Sequence, residues 1–373
     1  MDFVLSELCD QVMTARAGHK PLFVMGGGSK AFYGNYRPVR PQDGHCLLDM
    51  TPYRGIVSYH PSELVVTVRA GTPLAELEAA LAENGQMLAF EPPHFGATAT
   101  VGGCVAAGLS GPRRMSAGAL RDFVLGTRLL DSDGRILSFG GEVMKNVAGY
   151  DVSRLLAGSH GIFGALLEVS LKVVPRPMEE VTLVMPATQA QALASFALWR
   201  GKPLPISATS WTGGDEHAEG AMHVRLSGAP PAIASARQVI GGDPLDPDAA
   251  QAWWLALREQ THAFFAPGQP LWRLALPPTA AVLAMGPTLI EWGGGQRWLS
   301  GPRDAAELRD TAARLGGHAT LFRTGHSKPP ADGVFHPLAP GIASITRRLK
   351  QELDPAGLFN PGRLVLELSL IHI

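Results

Sequence analysis

Apolar side chains recur at helical spacing near the start of the chain, where Val4, Leu5, Leu8, Val12 and Met13 fall on one side of residues 3–17. That spacing predicts a helix packed ahead of the first strand. The run Leu22–Met25 predicts a strand that leads directly into Gly26, Gly27 and Gly28. Short strands are expected at 46–50, 55–59 and 64–69. A helix is expected over 73–83, opened by Pro73, closed by Asn84-Gly85, and carrying Leu74, Leu77, Ala80 and Leu81 on one face. These elements predict a small α+β unit. A hairpin follows, with strands at 123–130 and 135–139 joined through Asp131-Ser132-Asp133-Gly134. A second glycine cluster from Gly158 to Gly164 then feeds a strand in which Val169, Leu171 and Val173 alternate.

Pro175-Arg176-Pro177 reads as a linker, because the pattern changes beyond it. Strands are predicted at 180–185, 206–210, 221–227, 271–276, 288–300 and 318–323, with helices at 188–199, 231–240, 248–264 and 303–315. This alternation predicts an antiparallel sheet with helices on one face. A last helix over 340–353 precedes Asp354-Pro-Ala-Gly-Leu-Phe-Asn-Pro-Gly-Arg-Leu-Val.

Composition narrows the class. The 373 residues are 46% hydrophobic and only 17% charged, so they form a globular chain with much of its surface small and neutral or covered by a partner. Glycine at 43 and proline at 30 point to many loops and close backbone approaches. A net charge of -1 without a basic run argues against nucleic-acid binding. Cys9, Cys46 and Cys104 are too far apart for a CxxC metal pair and are odd in number, which fits a reducing cytoplasm. The acidic N-terminal stretch does not resemble a signal peptide, and no apolar run nears the roughly 18 residues of a membrane span.

The glycine loop carries the first chemistry. Without a Cβ, its backbone can turn N–H groups inward around an anion. Gly26, Gly28 and Ala31 satisfy G-x-G-x-x-A, and Asp49 lies about 20 residues on, as in the nicotinamide dinucleotide fingerprint. That fingerprint requires a helix to begin at the glycines, and Phe-Tyr-Gly-Asn-Tyr-Arg-Pro after Ala31 cannot supply one. A phosphate cradle of another kind and a plain tight turn both remain open. Further on, the seventeen positions from Gly96 to Pro112 contain no charge and no aromatic ring. Gly102, Gly103, Ala106, Ala107 and Gly108 would let a flat ring or a pyrophosphate lie on the backbone, or would let two protein segments pack closely.

Four segments, taken in order, carry a resemblance: Met25 to Lys30, Ala99 to Gly103 with Ser110-Gly111-Pro112 after it, 158–172, and 354–364. Together they resemble the FAD-binding domain of the vanillyl-alcohol oxidase type, the superfamily that contains D-lactate dehydrogenases and glycolate oxidase. Lys145-Asn-Val-Ala-Gly-Tyr-Asp151 and the short chain are similar to the FAD-binding E subunits of bacterial glycolate oxidases.

The resemblance implies an α+β fold: a two-subdomain FAD-binding domain over 1–176, a smaller cap domain of antiparallel sheet plus helices over 177–338, and a segment over 339–368 returning to the first domain. It implies FAD between the two α+β subdomains, its pyrophosphate on the backbone amides of Gly26 to Ser29 and of the Thr100 to Gly103 turn. The binding set it implies is Met25, Gly26, Gly27, Gly28, Ser29, Lys30, Gly34, Thr98, Thr100, Val101, Gly102, Gly103, Ala106, Gly161, Gly164, Ala165 and Asn360. Lys30, Arg113 and Arg114 are candidates for the remaining phosphate charge. Some members of the superfamily bond FAD through a His in the first loop; Gly28, Ser29 and Lys30 stand there, so a noncovalent flavin is expected.

Oxidation of a 2-hydroxy acid needs an electron acceptor, a base for the hydroxyl and a cation for the carboxylate. The catalytic relatives supply the last two from a His-x-Gly-Asp-Gly-Asn type motif, which this sequence lacks. His217, His223, His262, His318, His326 and His336 lie apart without metal-ligand spacing, so no metal is expected. The remaining catalytic candidates are Arg323 and His326, with Lys328, then His336, and Tyr150 through its loop, while Trp253, Trp254, Trp272 and Trp292 read as cap core and Gly293 to Gly295 as a turn. The resemblance implies an FAD-carrying subunit beside a catalytic flavoprotein subunit and an iron–sulfur subunit, cytoplasmic and peripheral to the inner membrane through those partners. A self-sufficient 2-hydroxy acid dehydrogenase and a scaffold with a structural flavin are the alternatives.

Overall fold

The computed structural model describes residues 1–35, 45–141, 151–215 and 217–366. Helix α1 (Asp2–Ala17) buries Leu8, Val12 and Ala15 against strands β1 (Leu22–Met25) and β2 (Cys46–Asp49), which pair in parallel. Met13, expected on the inner side of α1, is exposed, and Ala15 takes the buried position. The C-terminal segment extends this small layer, since Phe359 bridges to Leu22 in parallel.

The next strands belong to a second layer. They are β3 (Ile56–His60), β4 (Val65–Arg69), the two-residue β5 (Gln86–Met87), β6 (Val124–Leu130), β7 (Ile136–Gly140), β8 (Ala165–Lys172) and the short β9 (Val174–Pro175). Five of them form one sheet in the order β3-β4-β8-β6-β7, while β5 pairs with β9. The single α+β unit expected for the first eighty-odd residues is thus split: β3, β4 and helix α2 (Leu74–Glu83) join strands that come after Phe123. The reason is pairing, because β4 lies antiparallel between β3 and β8. Strand β8 does not alternate as Val169, Leu171 and Val173 suggested; its position in the middle of the sheet buries Glu168 and Ser170 too.

The small-residue segment folds as helix α3 (Val101–Ala107), with Thr100 as N-cap and Gly108 in the left-handed conformation at its end. A Cβ on Gly102 would come within 2.6 Å of the Ala70 Cβ, so close packing of α3 on the sheet accounts for that glycine. Two short helices, α4 (Arg114–Ala117) and α5 (Val152–Leu156), complete this part.

Beyond Pro177 the chain builds one antiparallel sheet of eight strands: β10 (Glu179–Ala187), β11 (Ile206–Gly213), β12 (Gly220–Gly228), β13 (Asp243–Pro244), β14 (Leu271–Ala275), β15 (Thr288–Glu291), β16 (Gln296–Ser300) and β17 (His318–Arg323). Helices α6 (Gln189–Arg200), α7 (Pro230–Ile240) and α9 (Ala305–Arg314) pack on the face carrying Trp211, Val224, Leu274, Leu299 and Leu321. Helix α8 (Pro247–Arg258) lies on the other face with Trp254, Leu289, Trp298 and Phe322, where Tyr33, Ala107 and Leu109 of the first half join the same core. The helices therefore do not all share one face, because α8 fills the seam with the N-terminal half.

That seam is held by ion pairs. Glu91 accepts from the Arg113 backbone N–H at 2.8 Å and meets the Arg225 guanidinium of β12 at 2.8 Å, while Arg113 also reaches Glu180 of β10. Burial pushes the Glu91 carboxyl up, but Arg225 and Arg113 outweigh it and hold it below the usual range. Trp292, expected as cap core, donates its indole N–H to the Gly111 carbonyl across the seam at 3.0 Å. The Gly293 to Gly294 turn behind it is buried. Helix α10 (Pro340–Leu353) returns to the first domain, where the buried Lys350 ammonium pairs with Asp354 and donates to the carbonyls of Ile162 and Phe359. No helix among the described residues is long and apolar enough to cross a membrane.

Candidate functional site: a glycine-walled cleft

The β1–β2 ladder stops at Met25, whose carbonyl accepts from the Met50 N–H at 2.8 Å. The next parallel rung would join the Gly27 N–H to the Met50 carbonyl, but that carbonyl accepts from Tyr53 instead. The chain turns away, and among the described residues no acceptor meets the five consecutive amides of Gly26 to Lys30. Glycine is required here for two reasons. A Cβ on Gly27 would lie 1.5 Å from the Thr98 carbonyl oxygen, so the loop rests backbone on backbone against 98–100. Gly28 has φ +71, and a Cβ on it would meet only the Met25 sulfur at 3.9 Å.

The loop forms one wall of an open cleft of about 1040 Å³ including its solvent-filled mouth. Its lining brings together Met25, Gly26, Gly27, Gly28, Ser29, Lys30, Thr100, Gly102, Gly103, Ala106, Gly161, Gly164 and Asn360, drawn from all four sequence segments. Gly34, Thr98, Val101 and Ala165 do not line it. Thr98 sits behind the loop and donates to the Gly27 carbonyl at 2.6 Å, and Gly34 lines a neighbouring pocket. Phe23, Val24, Leu47, Met50, Ala70, His160 and Arg363 line the cleft and were not expected from the sequence.

Charge in the cleft is one-sided. The Lys30 ammonium is largely buried; it donates to the His94 carbonyl at 3.0 Å and has no carboxylate within ion-pair distance among the described residues. Burial lowers its pKa, with Cys104 and Glu259 opposing. The Arg363 guanidinium donates to the carbonyls of Ala31 and Tyr33, both at 2.8 Å. His160 is held neutral, its pKa lowered to about 3 by burial with Arg363 and Arg273 acting in the same direction, and its ring packs 5.0 Å from Tyr33. Cys104 is buried and its thiol is pushed up to about 12 by desolvation, so it is inert.

Other expected residues do different work. The Val101, Gly102 and Gly103 amides are taken by the Thr72 carbonyl, the Ala70 carbonyl and the Thr100 hydroxyl, which leaves the α3 turn no spare donors there. Asn360 clamps the cleft instead of offering its amide to it: Oδ1 accepts from the Val24 N–H at 2.9 Å and Nδ2 donates to the His160 carbonyl at 2.7 Å. Arg113 is consumed in the seam, and Arg114 lies 4.4 Å over the Trp292 ring. Neither lines the cleft. Arg323 sits beside the rings of Phe32 and Phe95 at 4.6 and 5.3 Å, outside the cleft. His326 is exposed, His336 accepts weakly from the Ala319 N–H at 3.5 Å, and Tyr150, with the segment from Lys145, lies outside the described residues.

An extended dinucleotide with two phosphate charges fits this donor set: among the described residues, a row of backbone amides without acceptors and a buried ammonium without a carboxylate, set in small-residue walls. Comparison with known proteins agrees. Residues 5–140 match the FAD binding domain family. The chain is 45% identical to glycolate oxidase subunit GlcE of Escherichia coli (strain K12) over 97% of both chains. It is 33% identical to D-lactate dehydrogenase of Archaeoglobus fulgidus over 50% of this chain and 41% of that protein, and 29% identical to glycolate oxidase subunit GlcD of Bacillus subtilis (strain 168) over 47% and 36%. Among solved structures it resembles alkyldihydroxyacetonephosphate synthase in fold, with a TM-score of 0.67 at 16% identity, covering 96% of this chain and 76% of that one. The chain therefore belongs to the glycolate oxidase subunit GlcE family, within the FAD-dependent oxidoreductases that act on CH–OH groups.

Proposed function

We propose that the cleft is the FAD site, that the pyrophosphate lies on the Gly26 to Lys30 amides with Lys30 as its counter-charge, and that the flavin is held without a covalent bond. The observation that carries this reading is the broken ladder after Met25, which leaves five neighbouring N–H groups without acceptors among the described residues, beside a buried cation. Asn360 and Lys350 hold the two edges of the cleft in place, since Asn360 ties β1 to the 158–164 loop and Lys350 ties that loop to the C-terminal segment. FAD, when bound, supplies the two-electron acceptor that alcohol oxidation requires. The protein's own contribution is to bind and orient it and to exclude water with the apolar walls of Phe23, Leu47, Met50 and Leu166.

The relatives extend the reading to a glycolate oxidase assembly, in which this chain oxidises glycolate to glyoxylate together with a catalytic flavoprotein subunit and an iron–sulfur subunit. The assembly sits in the cytoplasm, peripheral to the inner membrane through those partners. The chain's own contribution of three scattered cysteines holds no iron–sulfur cluster motif, so electrons leave through a partner. Acid precipitation of the purified protein tests the central claim: yellow flavin should pass to the supernatant, and colour retained in the pellet would refute noncovalent binding. Copurification of an iron-containing subunit tests the assembly.

A further inference from the structure

One carboxylate of the cap grips the wall of the glycine-lined cleft from behind. Helix α8 stops at Arg258, and its C-cap is Glu259, followed by Gln260 in the left-handed conformation at φ +54. That turn sends the Glu259 side chain across the seam to the segment ahead of α3. Its Oε2 accepts from the His94 N–H at 3.0 Å and the Phe95 N–H at 2.8 Å, while Oε1 accepts from Arg258 Nε at 2.8 Å. Two successive amides on one anion form a nest, and Phe95 reaches it by standing at φ +53 without being a glycine. Strained, left-handed residues persist only where their surroundings determine them, and here one stands on each side of the contact.

The far side of the same peptide faces the cofactor cleft. The Phe95 N–H and the His94 carbonyl belong to one trans peptide group and point in opposite directions. The N–H goes to Glu259, and the carbonyl accepts from the Lys30 ammonium at 3.0 Å. A single rigid plane therefore joins a carboxylate of the cap to the buried cation of the glycine loop. An amide polarised at its N–H is a better acceptor at its carbonyl. The Glu259 charge also acts through space, opposing the burial that lowers the Lys30 pKa. Among the described residues the other groups near Lys30 do not replace it. Cys104 of α3 stays a thiol, the Ser29 hydroxyl is neutral, Glu78 of α2 is engaged by the His94 imidazole at 2.9 Å, and Arg323 is a second cation beside the Phe95 ring.

We propose that Glu259 is a positioning residue for the flavin site: reaching over from the cap, it fixes the His94 carbonyl on the Lys30 ammonium and keeps that ammonium charged for the pyrophosphate. Glu259 does not line the cleft, so it acts only through this peptide and its field. The proposal rests on the reading above that Lys30 meets the pyrophosphate. It makes FAD affinity depend on the docking of the cap, and by linkage bound FAD tightens the seam. The sign of the pH dependence follows. FAD needs Lys30 protonated, and its phosphates keep their charge throughout, so affinity falls as pH rises through the Lys30 pKa of the free protein. Removing the Glu259 charge moves that fall to lower pH.

Flavin fluorescence quenching on the full chain at pH 7.5 and pH 9 tests this, with Glu259→Gln, Lys30→Met and the double variant beside wild type, and the melting temperature of each recorded. Glu259→Gln keeps the volume and an oxygen for the Phe95 N–H but removes the charge. It should weaken FAD about tenfold at pH 9 and clearly less at pH 7.5. In the Lys30→Met background the same substitution should change the Kd by less than about twofold at either pH. A loss of equal size at both pH values and in both backgrounds would mean that Glu259 only braces the loop, and an unchanged Kd would mean that it does not act on the site. Either result overturns the proposal and leaves the FAD reading intact. Should Glu259→Gln not fold, Glu259→Asp, which withdraws the charge by one methylene, carries the test through a smaller shift in the same direction. Equal FAD affinity in wild type and Lys30→Met would instead overturn the pyrophosphate placement itself.

Discussion

Glu291 offers a perturbation whose size follows from its surroundings. Burial raises its carboxyl from 4.5 to about 7, the bonds from Trp298 and Gln296 pull the other way, and the nearby Glu91 carboxylate adds to the rise. The folded protein therefore keeps this proton to a higher pH than the unfolded chain. The stabilisation is complete below pH 4.5, falls between 4.5 and about 7, and stays lost above that. Each pH unit in that interval is worth about 1.4 kcal/mol, so the whole loss is about 3 kcal/mol. Glu291→Gln keeps the volume and an oxygen to accept from Trp298 and Gln296, but has no proton to lose. Calorimetric melting of wild type and variant at pH 5 and pH 8, both saturated with FAD, should give similar melting temperatures at the lower pH. At the higher pH the variant should melt several degrees above wild type. Parallel profiles across that range would show that Glu291 ionises without cost, and that the seam is wetter than its burial implies.

Other expectations follow from the cleft. Lys30→Met should weaken FAD binding roughly tenfold, because a charge-assisted bond to a phosphate is worth about 1.5–3 kcal/mol; an unchanged Kd by flavin fluorescence quenching would move the pyrophosphate elsewhere. Gly27→Ala should fail to fold, since the added carbon meets the Thr98 carbonyl at 1.5 Å, whereas Gly28→Ala should fold with a strain of about 1–2 kcal/mol and bind flavin less tightly. Equal solubility and flavin content in the two would refute the backbone-on-backbone packing. Asn360→Ala should lose about 1–3 kcal/mol of stability by orphaning the Val24 N–H and the His160 carbonyl, and urea unfolding should show it.

Much of the fold was legible in local pattern. The helices α6, α7, α9 and α10 and most strands of the cap fall within a few residues of where apolar spacing, proline and glycine place them, but the strand expected over 288–300 folds as β15 and β16 paired across the Trp292–Gly294 turn, the helix expected over 248–264 ends at Arg258, and the short β13 was not expected. The glycine loop was legible only in part: the sequence marks a strand that ends in three glycines and cannot continue as a helix, but it leaves a phosphate cradle and a plain tight turn both open. Local pattern misled where a single stretch had two tasks. Within 99–108 the sequence shows only small residues, and it is packing against Ala70 and Gly158 that requires a glycine at 102 and 108, while Gly103, Ala106 and Ala107 line the cleft together with Gly102.

By itself the sequence determined the periodicities, the four glycine-bearing segments and their order, and these set the family and the cofactor. Only the tertiary structure decided which residues meet. It sent β3 and β4 to the second sheet, turned Arg113 toward Glu91 and Glu180, spent Asn360 on two backbone groups, and set the Glu259 carboxylate on the His94 and Phe95 amides. Such groupings depend on strand register and on contacts between residues far apart in the chain. Side chains that carry no local periodic signal, such as a lone arginine or glutamate, acquire their chemistry only from those neighbours.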